Sequence, residues 1–446
     1  MIAFGLLLMG ALVVGTFVLV WRGVFHPLGL PVLAAVSFFY FYILQPLRLL
    51  SSGAAHFYLS EGQIAKTLLV CALMYTFFIW GWFAGRPKRV HATRPLQWRF
   101  GCLYRWGLVL SLVGIVLFLS FMQQSGGIGY YYSAAHGGHG AWAEQTAWVY
   151  LGKLLVFPGL AMMLSAALRT KARPGWWIGI GAVAAATLFH AVVTASRGTL
   201  FPLVAVLGVT FYLATHKIPS TKTLLVGGFA TAIAILALVG YRGVLHLGES
   251  DIEEVAPFSE AILSVTEVSE SEMAARVVHV EFILTAGIVD AIDRTGDLKW
   301  GSNWLYLVTV HLIPRLLWPD KPYGWGIGLS MWDLASYLGW EATVGAAPSL
   351  VGDAYLQFGM FAVIFWFGLG WLSRRLFDKA WHTGSPVWQI AYVLFFAFGL
   401  NLFAQEFAQL LKFYLYTAVP ALLLAQGCRR RRSRASTLPL HAGTSQ

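Results

Sequence analysis

Arg197 closes the stretch His190-Ala-Val-Val-Thr-Ala-Ser-Arg197-Gly198 between two apolar runs, and Arg242 stands in a matching Gly-Tyr-Arg-Gly stretch at the end of another. A guanidinium in such a place suits a phosphate or carboxylate, because its planar fork of donors binds two oxygens at once. One such arginine reads as an anchor whose head reaches the membrane interface. Two of them together with Arg315 favour an anionic ligand. Lys153 lies inside an apolar run, where burial at the bilayer centre costs roughly 2.5 to 3.5 kcal/mol. It either pairs with a phosphate or reaches back to the interface. His190 falls seven residues before Arg197, hence on the same helical face, although a lone histidine in such a run is more often a packed or helix-bridging group.

The stretch His311-Leu-Ile-Pro-Arg-Leu-Leu-Trp-Pro-Asp-Lys-Pro322 places Arg315 and Lys321 among three prolines and a tryptophan. It cannot be a plain helix throughout, since proline removes donors and fixes φ. Asp353 enters the mouth of the next apolar run, either as a helix-start acid favoured by the dipole or as a carboxylate held for catalysis. Asn401, Gln405 and Gln409 form a polar stripe at four-residue spacing, with Glu406 beside it. Such a stripe suits sugar hydroxyls, and it equally suits hydrogen bonding between helices. His136 and His139 lie in a glycine-rich stretch with Tyr130, Tyr131 and Tyr132, which reads as a lid. No metal-ligand spacing is seen among the outward segments, so metal-independent chemistry without a cofactor is expected.

The elements that must position these residues are transmembrane helices. Hydrophobic residues make up 58% of the 446-residue chain and charged ones only 11%, with a mean hydropathy of +0.67. Lipid is therefore the solvent. Bilayer-length runs lie near residues 2–20, 28–44, 63–84, 106–122, 146–168, 176–194, 199–215 and 223–240, and again near 358–372, 388–403 and 410–426. The expectation is an all-α, polytopic bundle of about eleven spans, forming one integral membrane domain over residues 1–446.

The formal net charge of +11 does not point to nucleic acid, because the Lys and Arg residues sit between apolar runs and not on a folded soluble face. They collect on one side. Arg86, Lys88, Arg89, Arg94, Arg99 and Arg105 fill one loop, and Arg169, Lys171 and Arg173 another. Lys217 with Lys222, then Arg374, Arg375 and Lys379, and finally Arg429 to Arg432 with Arg434 follow on the same side. The positive-inside rule makes that side cytoplasmic, with the N-terminus periplasmic and the C-terminus cytoplasmic. The first run lacks a basic n-region and a small-residue cleavage site, so it reads as a retained span. None of Cys71, Cys102 and Cys428 falls in an outward segment, which argues against a disulfide framework.

Residues 241–357 then form one long periplasmic loop rich in Trp and Tyr. Its early part, 249–272, carries eight acids and no Lys or Arg, and reads as a solvated flap. Residues 273–292 and 304–318 read as short interfacial or re-entrant helices within the loop, or as two further spans that would raise the total to thirteen.

The Ser196-Arg-Gly198 triplet, the Ile313-Pro-Arg-Leu-Leu-Trp-Pro-Asp-Lys-Pro322 segment and Pro348-Ser-Leu-Val-Gly-Asp-Ala-Tyr-Leu-Gln-Phe-Gly359 resemble the O-antigen polymerases, or oligosaccharide repeat-unit polymerases, of bacterial inner membranes. The specific motifs span about 194–359, and the architecture nearly the whole chain. The resemblance implies a membrane glycosyltransferase that transfers a glycan from undecaprenyl diphosphate onto a lipid-linked repeat unit at the periplasmic face, in O-antigen or exopolysaccharide synthesis. Its partners would be the lipid-linked donor and acceptor, the surrounding lipids and a chain-length regulator protein. In that reaction Arg197, Arg242, Arg315, Lys321 and Lys153 would hold the departing diphosphate. Asp353, His311 and Glu281, in that order, are the candidate bases for the acceptor hydroxyl. The alternatives are a ligase using the same donor and a transporter or flippase for it.

Overall fold

A computed structural model describes residues 1–51, 58–87, 97–124, 152–193, 197–218, 281–310 and 348–429, with scattered single positions between them. Among the described residues every regular element is a helix, and the strand-like pairing is one bridge between Trp98 and Arg429. Eight helical stretches are long and apolar enough to cross a membrane, so the chain is an all-helical, multi-pass membrane protein.

The helices are α1 (Ile2–Trp21), α2 (Leu30–Phe39), α3 (Gln45–Ser51), α4 (Glu61–Ala84), α5 (Phe100–Gln124), α6 (Val156–Leu168), α7 (Pro174–Val193) and α8 (Arg197–Thr215). After a gap come α9 (Glu281–Thr295), α10 (Ser302–Thr309), α11 (Leu350–Phe358), α12 (Ala362–His382), α13 (Pro386–Ala397), α14 (Gly399–Ala404) and α15 (Phe407–Gly427). A π turn, Tyr40–Leu44, joins α2 to α3, and a 3₁₀ turn, Lys153–Leu155, leads into α6. The expected span at 223–240 lies almost wholly outside the described residues.

Local chemistry sets the boundaries. Ser60 accepts from Gln63 N while the Gln63 side chain accepts from Ser60 N, a capping box that starts α4. Pro31 and Pro386 stand at the second helical position of α2 and the first of α13. Pro46 has no N–H to continue the ladder, which accounts for the π turn just before it. Gly359 has φ +56°, a left-handed conformation that breaks the 350–382 path between α11 and α12.

Lipid tails give helices no hydrophobic reason to associate, so close packing must hold the bundle. The tightest crossing is α4 on α12. A β-carbon at Gly81 would stand 2.0 Å from the Phe367 carbonyl oxygen, and one at Gly370 2.0 Å from that of Phe78. The second seam joins α5 to the start of α6. Gly107 and Gly114 on one side meet Gly159 and Gly152 on the other, each with spacing near two turns, and a β-carbon at Gly159 would stand 2.1 Å from Ser111 Oγ. Helix α1 buries Gly5, Met9, Val13 and Thr16 against the rest, with Thr16 Oγ1 2.7 Å from Tyr75 OH. Its Phe4, Leu7 and Val14 face outward, as lipid-facing side chains do.

The basic residues gather at one end of the bundle. Arg86 donates to Val24 O, Arg99 N donates to Cys428 O, and Arg169 reaches Gly384 O at 2.6 Å and Gln389 Oε1 at 2.5 Å. Gln389 in turn donates to Leu213 O and Ala380 O, so the ends of α6, α8, α12 and α13 meet there. Burial lowers the Arg169 pKa to about 10, which leaves it charged at neutral pH. Arg374, Arg375 and Lys379, expected in a loop beyond the apolar run 358–372, occupy the last turns of α12. Their heads lie over Trp82, Trp371 and Trp388 at 5.3, 5.0 and 4.2 Å, an aromatic setting that lets the helix continue past the apolar run. Cys102 and Cys428 form a disulfide, against the expectation from the cysteine positions. The chain order hid that α5 begins where α15 ends.

Of the alternatives for residues 273–292, an interfacial helix does not fit α9, because residues 282–289 and 291–292 are buried and it lies inside the protein. As described, its 15 residues span about 22 Å, less than the hydrocarbon thickness.

Overpacking a close helix crossing costs about 1 to 3 kcal/mol or more. Gly81→Leu and Gly370→Leu should therefore lower the thermal midpoint in detergent by several degrees, whereas Gly10→Leu, which meets nothing within 4 Å, should leave it unchanged. His26 lies between α1 and α2, packed 4.3 Å from Trp381, and burial with Arg374 nearby lowers its pKa to about 4. The unfolded chain protonates it near pH 6.5 and the folded chain only near 4, so it withdraws stability as pH falls through that window. His26→Gln should lose less stability than wild type between pH 6.5 and 4, as read by thermal midpoints.

Candidate functional site

At the end of the bundle opposite the basic loops, a polar seam crosses an otherwise apolar core. Its foundation is Ser349, which caps α11 by accepting from Gly352 N at 3.3 Å. Ser349 Oγ also meets Thr285 Oγ1 of α9 at 2.7 Å and accepts from Tyr42 OH in the π turn. One turn away, Gln45 donates to Glu281 Oε2 at 2.7 Å and accepts from Phe282 N at 3.3 Å, so its amide grips the start of α9 from both sides. The π turn and the first residue of α3 thus send two polar side chains three residues apart, Tyr42 and Gln45, to the two helices that carry the carboxylates.

Asp353 is 3% exposed, and both its oxygens are engaged. Trp304 Nε1 of α10 and Phe407 N of α15 each donate to Oδ2 at 2.8 Å, and Gln357 Nε2 donates to Oδ1 at 3.4 Å. Phe407 N is a first-turn amide of α15, whose N-cap residue Glu406 makes no side-chain cap. The Asp353 carboxylate therefore caps a second helix besides lying in the first turn of its own, with the dipole of each favouring the charge. Gln357 carries the connection onward, since Gly301 N donates to its Oε1 and Trp300 N to its carbonyl. Nearby, Lys66 pairs with Asp293, which also accepts from Tyr355 OH at 3.0 Å.

Adjacent to this seam lies a cavity of about 490 Å³ between α5, α6, α7 and α8, a size that suits a small-molecule or lipid segment. Gly114, Ile115, Phe118, Met122 and Phe157 make it apolar, while Lys153, Thr187, His190 and Thr199 add polar groups. The Phe118 ring joins the two basic side chains, with the Lys153 Nζ 5.7 Å from its centroid and the His190 ring 4.7 Å away, edge-on. Leu119 and Phe189 line the cavity and are also exposed, so the cavity borders the lipid-facing surface. Helix α15 packs against the Lys153 turn as well as against α10 and α11, which links cavity and seam.

Of the sequence-predicted residues, Asp353 and Glu281 belong to the seam and Lys153 to the cavity. Arg197 is the first residue of α8, whose Thr199 lines the cavity. The shared-face argument for His190 and Arg197 does not hold, because α7 ends at Val193 and the two residues stand on different helices. The expected stripe of Asn401, Gln405 and Gln409 is likewise divided, since Gln405 is extended between α14 and α15 and the chain reverses there. Arg242, His311, Arg315, Lys321, His136 and His139 lie outside the described residues. Sequence reasoning missed Tyr42, Gln45 and Trp304. Gln45 carried a signal, being a lone amide beside a proline at the end of the apolar run 28–44, where uncharged polar groups need partners.

Asp353→Ala leaves Trp304 Nε1 and Phe407 N without their acceptor, and should lower the thermal midpoint and the yield of monodisperse protein. Asp353→Asn, which keeps an acceptor oxygen but loses the charge, should fall between wild type and alanine. Compared with protein-family models, curated proteins and solved structures, the chain matches none.

Proposed function

We propose that the protein is a polysaccharide repeat-unit polymerase, transferring an undecaprenyl-diphosphate-linked glycan onto a second lipid-linked repeat unit at the periplasmic face of a bacterial inner membrane. The observation that carries this reading is the cavity. It offers an apolar pocket bordering lipid, with an ammonium group and the start of α8 at its rim, to a ligand that is part hydrocarbon and part anion. The charge bias supports the same side, because the basic loops sit at the opposite end.

In the reaction the acceptor hydroxyl attacks the anomeric carbon of the donor, the bond from that carbon to the diphosphate oxygen breaks, and the hydroxyl proton passes to a base. Negative charge grows on the diphosphate as it leaves. Lys153 and Arg197, with Arg242, Arg315 and Lys321, would stabilise that charge, each 1.36 kcal/mol giving a factor of ten. Glu281 stands as the proton acceptor, oriented by the Gln45 amide. Asp353, with three donors on its oxygens, fits a positioning role that fixes α10 and α15 beside the acceptor.

Purified protein given one synthetic lipid-linked repeat unit in detergent should build a ladder of longer oligosaccharides. Transfer of the glycan only to a lipid core would make the protein a ligase, and movement of the lipid across vesicles without new bonds would make it a transporter. Arg197→Ala and Arg315→Ala should abolish extension with the protein still inserted, and arginine-to-lysine should restore it only in part. Lys153→Ala should reduce kcat/KM about tenfold or more. Full extension by an alanine variant would remove that residue from the diphosphate clamp.

A further inference from the structure

Cys102, in the first turn of α5, and Cys428, which ends α15, are joined with Cα atoms 5.6 Å apart across 326 residues of sequence. The third cysteine, Cys71, is buried in α4 and unpaired with another cysteine. The joint has a backbone counterpart, since Arg99 N donates to Cys428 O at 3.0 Å and Trp98 pairs with Arg429. The chain leaving α15 is therefore laced to the chain entering α5, just before the run Arg429-Arg430-Arg431-Arg432 proceeds.

This joint lies at the basic end of the bundle, which the positive-inside rule assigns to the cytoplasm. Thiols there are kept reduced, and disulfides that do form are transient or redox-sensing and not permanent staples. Both cysteines stand in a cationic setting, with Arg99 and Arg105 flanking one and the arginine run following the other. Such surroundings favour the thiolate, the form that reacts with oxidants. The pair also joins two elements that matter elsewhere. Helix α5 carries the glycine seam and one wall of the cavity, and α15 is held at its other end by Asp353.

We propose that Cys102 and Cys428 are a reversible thiol–disulfide switch that ties the end of α15 to α5 under oxidising conditions and frees it when reduced. With hydrogen peroxide as oxidant, one thiolate attacks an oxygen, forming an S–O bond as the O–O bond breaks, and gives a sulfenic acid and a hydroxide that takes up a proton to leave as water. The second thiolate then displaces the hydroxyl as a second water and forms the S–S bond. The two thiols together lose two electrons and two protons, and the peroxide gains them. Release runs by exchange with a dithiol, which leaves as its own disulfide. None of this depends on the polymerase reading.

The test uses the full-length protein in the cells that make it, quenched with acid and alkylated under denaturing conditions with a mass-tagging maleimide. With three cysteines in the chain, unstressed cells should give three tags, a peroxide pulse should leave one, and dithiothreitol should restore three. Cys102→Ser should carry two tags throughout. A single tag before any peroxide would mark a permanent disulfide and overturn the switch, as would three tags after the pulse. Purified wild type should also show a higher thermal midpoint oxidised than reduced, a difference absent from Cys428→Ser. Equal midpoints would show that the bond does not constrain the helices.

Discussion

Backbone contact through glycine is the constraint on which this bundle depends. In lipid, burying one apolar helix against another gains little over burying it against acyl chains, so association rests on how closely the backbones approach. At Gly81 and Gly370 the helices α4 and α12 pass where no β-carbon could stand, and α5 meets α6 in the same way at Gly107 and Gly159. The second seam ends at Gly114, which lines the cavity. Beyond it Phe118 and Met122 replace small residues on α5, and the space between helices becomes a pocket with Lys153 and His190 in its wall.

Polar groups do the fixing that glycine cannot. At the basic end, Arg169 and Gln389 gather four helix ends through carbonyl oxygens. At the other end, Asp353 draws α10 and α15 onto α11, and Ser349 with Gln45 draws α9 onto the π turn. In a low-dielectric interior an unmet donor or charge is expensive, so each of these nodes tolerates little displacement. That stiffness is useful to a site that must hold a carboxylate near a reacting hydroxyl while an anion departs. It also explains why α9 and α10, though short, are held firmly among longer helices.

The helical class, the membrane environment and most span positions were legible in the chain, because hydropathy over about twenty residues reports directly on lipid burial. Runs near 2–20, 63–84, 176–194 and 388–403 reappear as helices within a few residues. The basic loops could be grouped on one side by parity alone. Asp353 could be noticed by its place at the start of a helix, but not that it caps a second one 54 residues away.

What composition and periodicity decided is therefore one-dimensional: which segments are apolar, where they stop, and which end of each carries charge. Tertiary structure decided everything that depends on two segments meeting. It put His190 and Arg197 on separate helices, placed α9 inside the protein, joined Cys102 to Cys428, and gave Gln45 to Glu281. The reason is physical. Hydropathy is a property of each residue with its solvent, whereas hydrogen bonds, disulfides and glycine crossings are properties of pairs whose separation in sequence leaves no local trace.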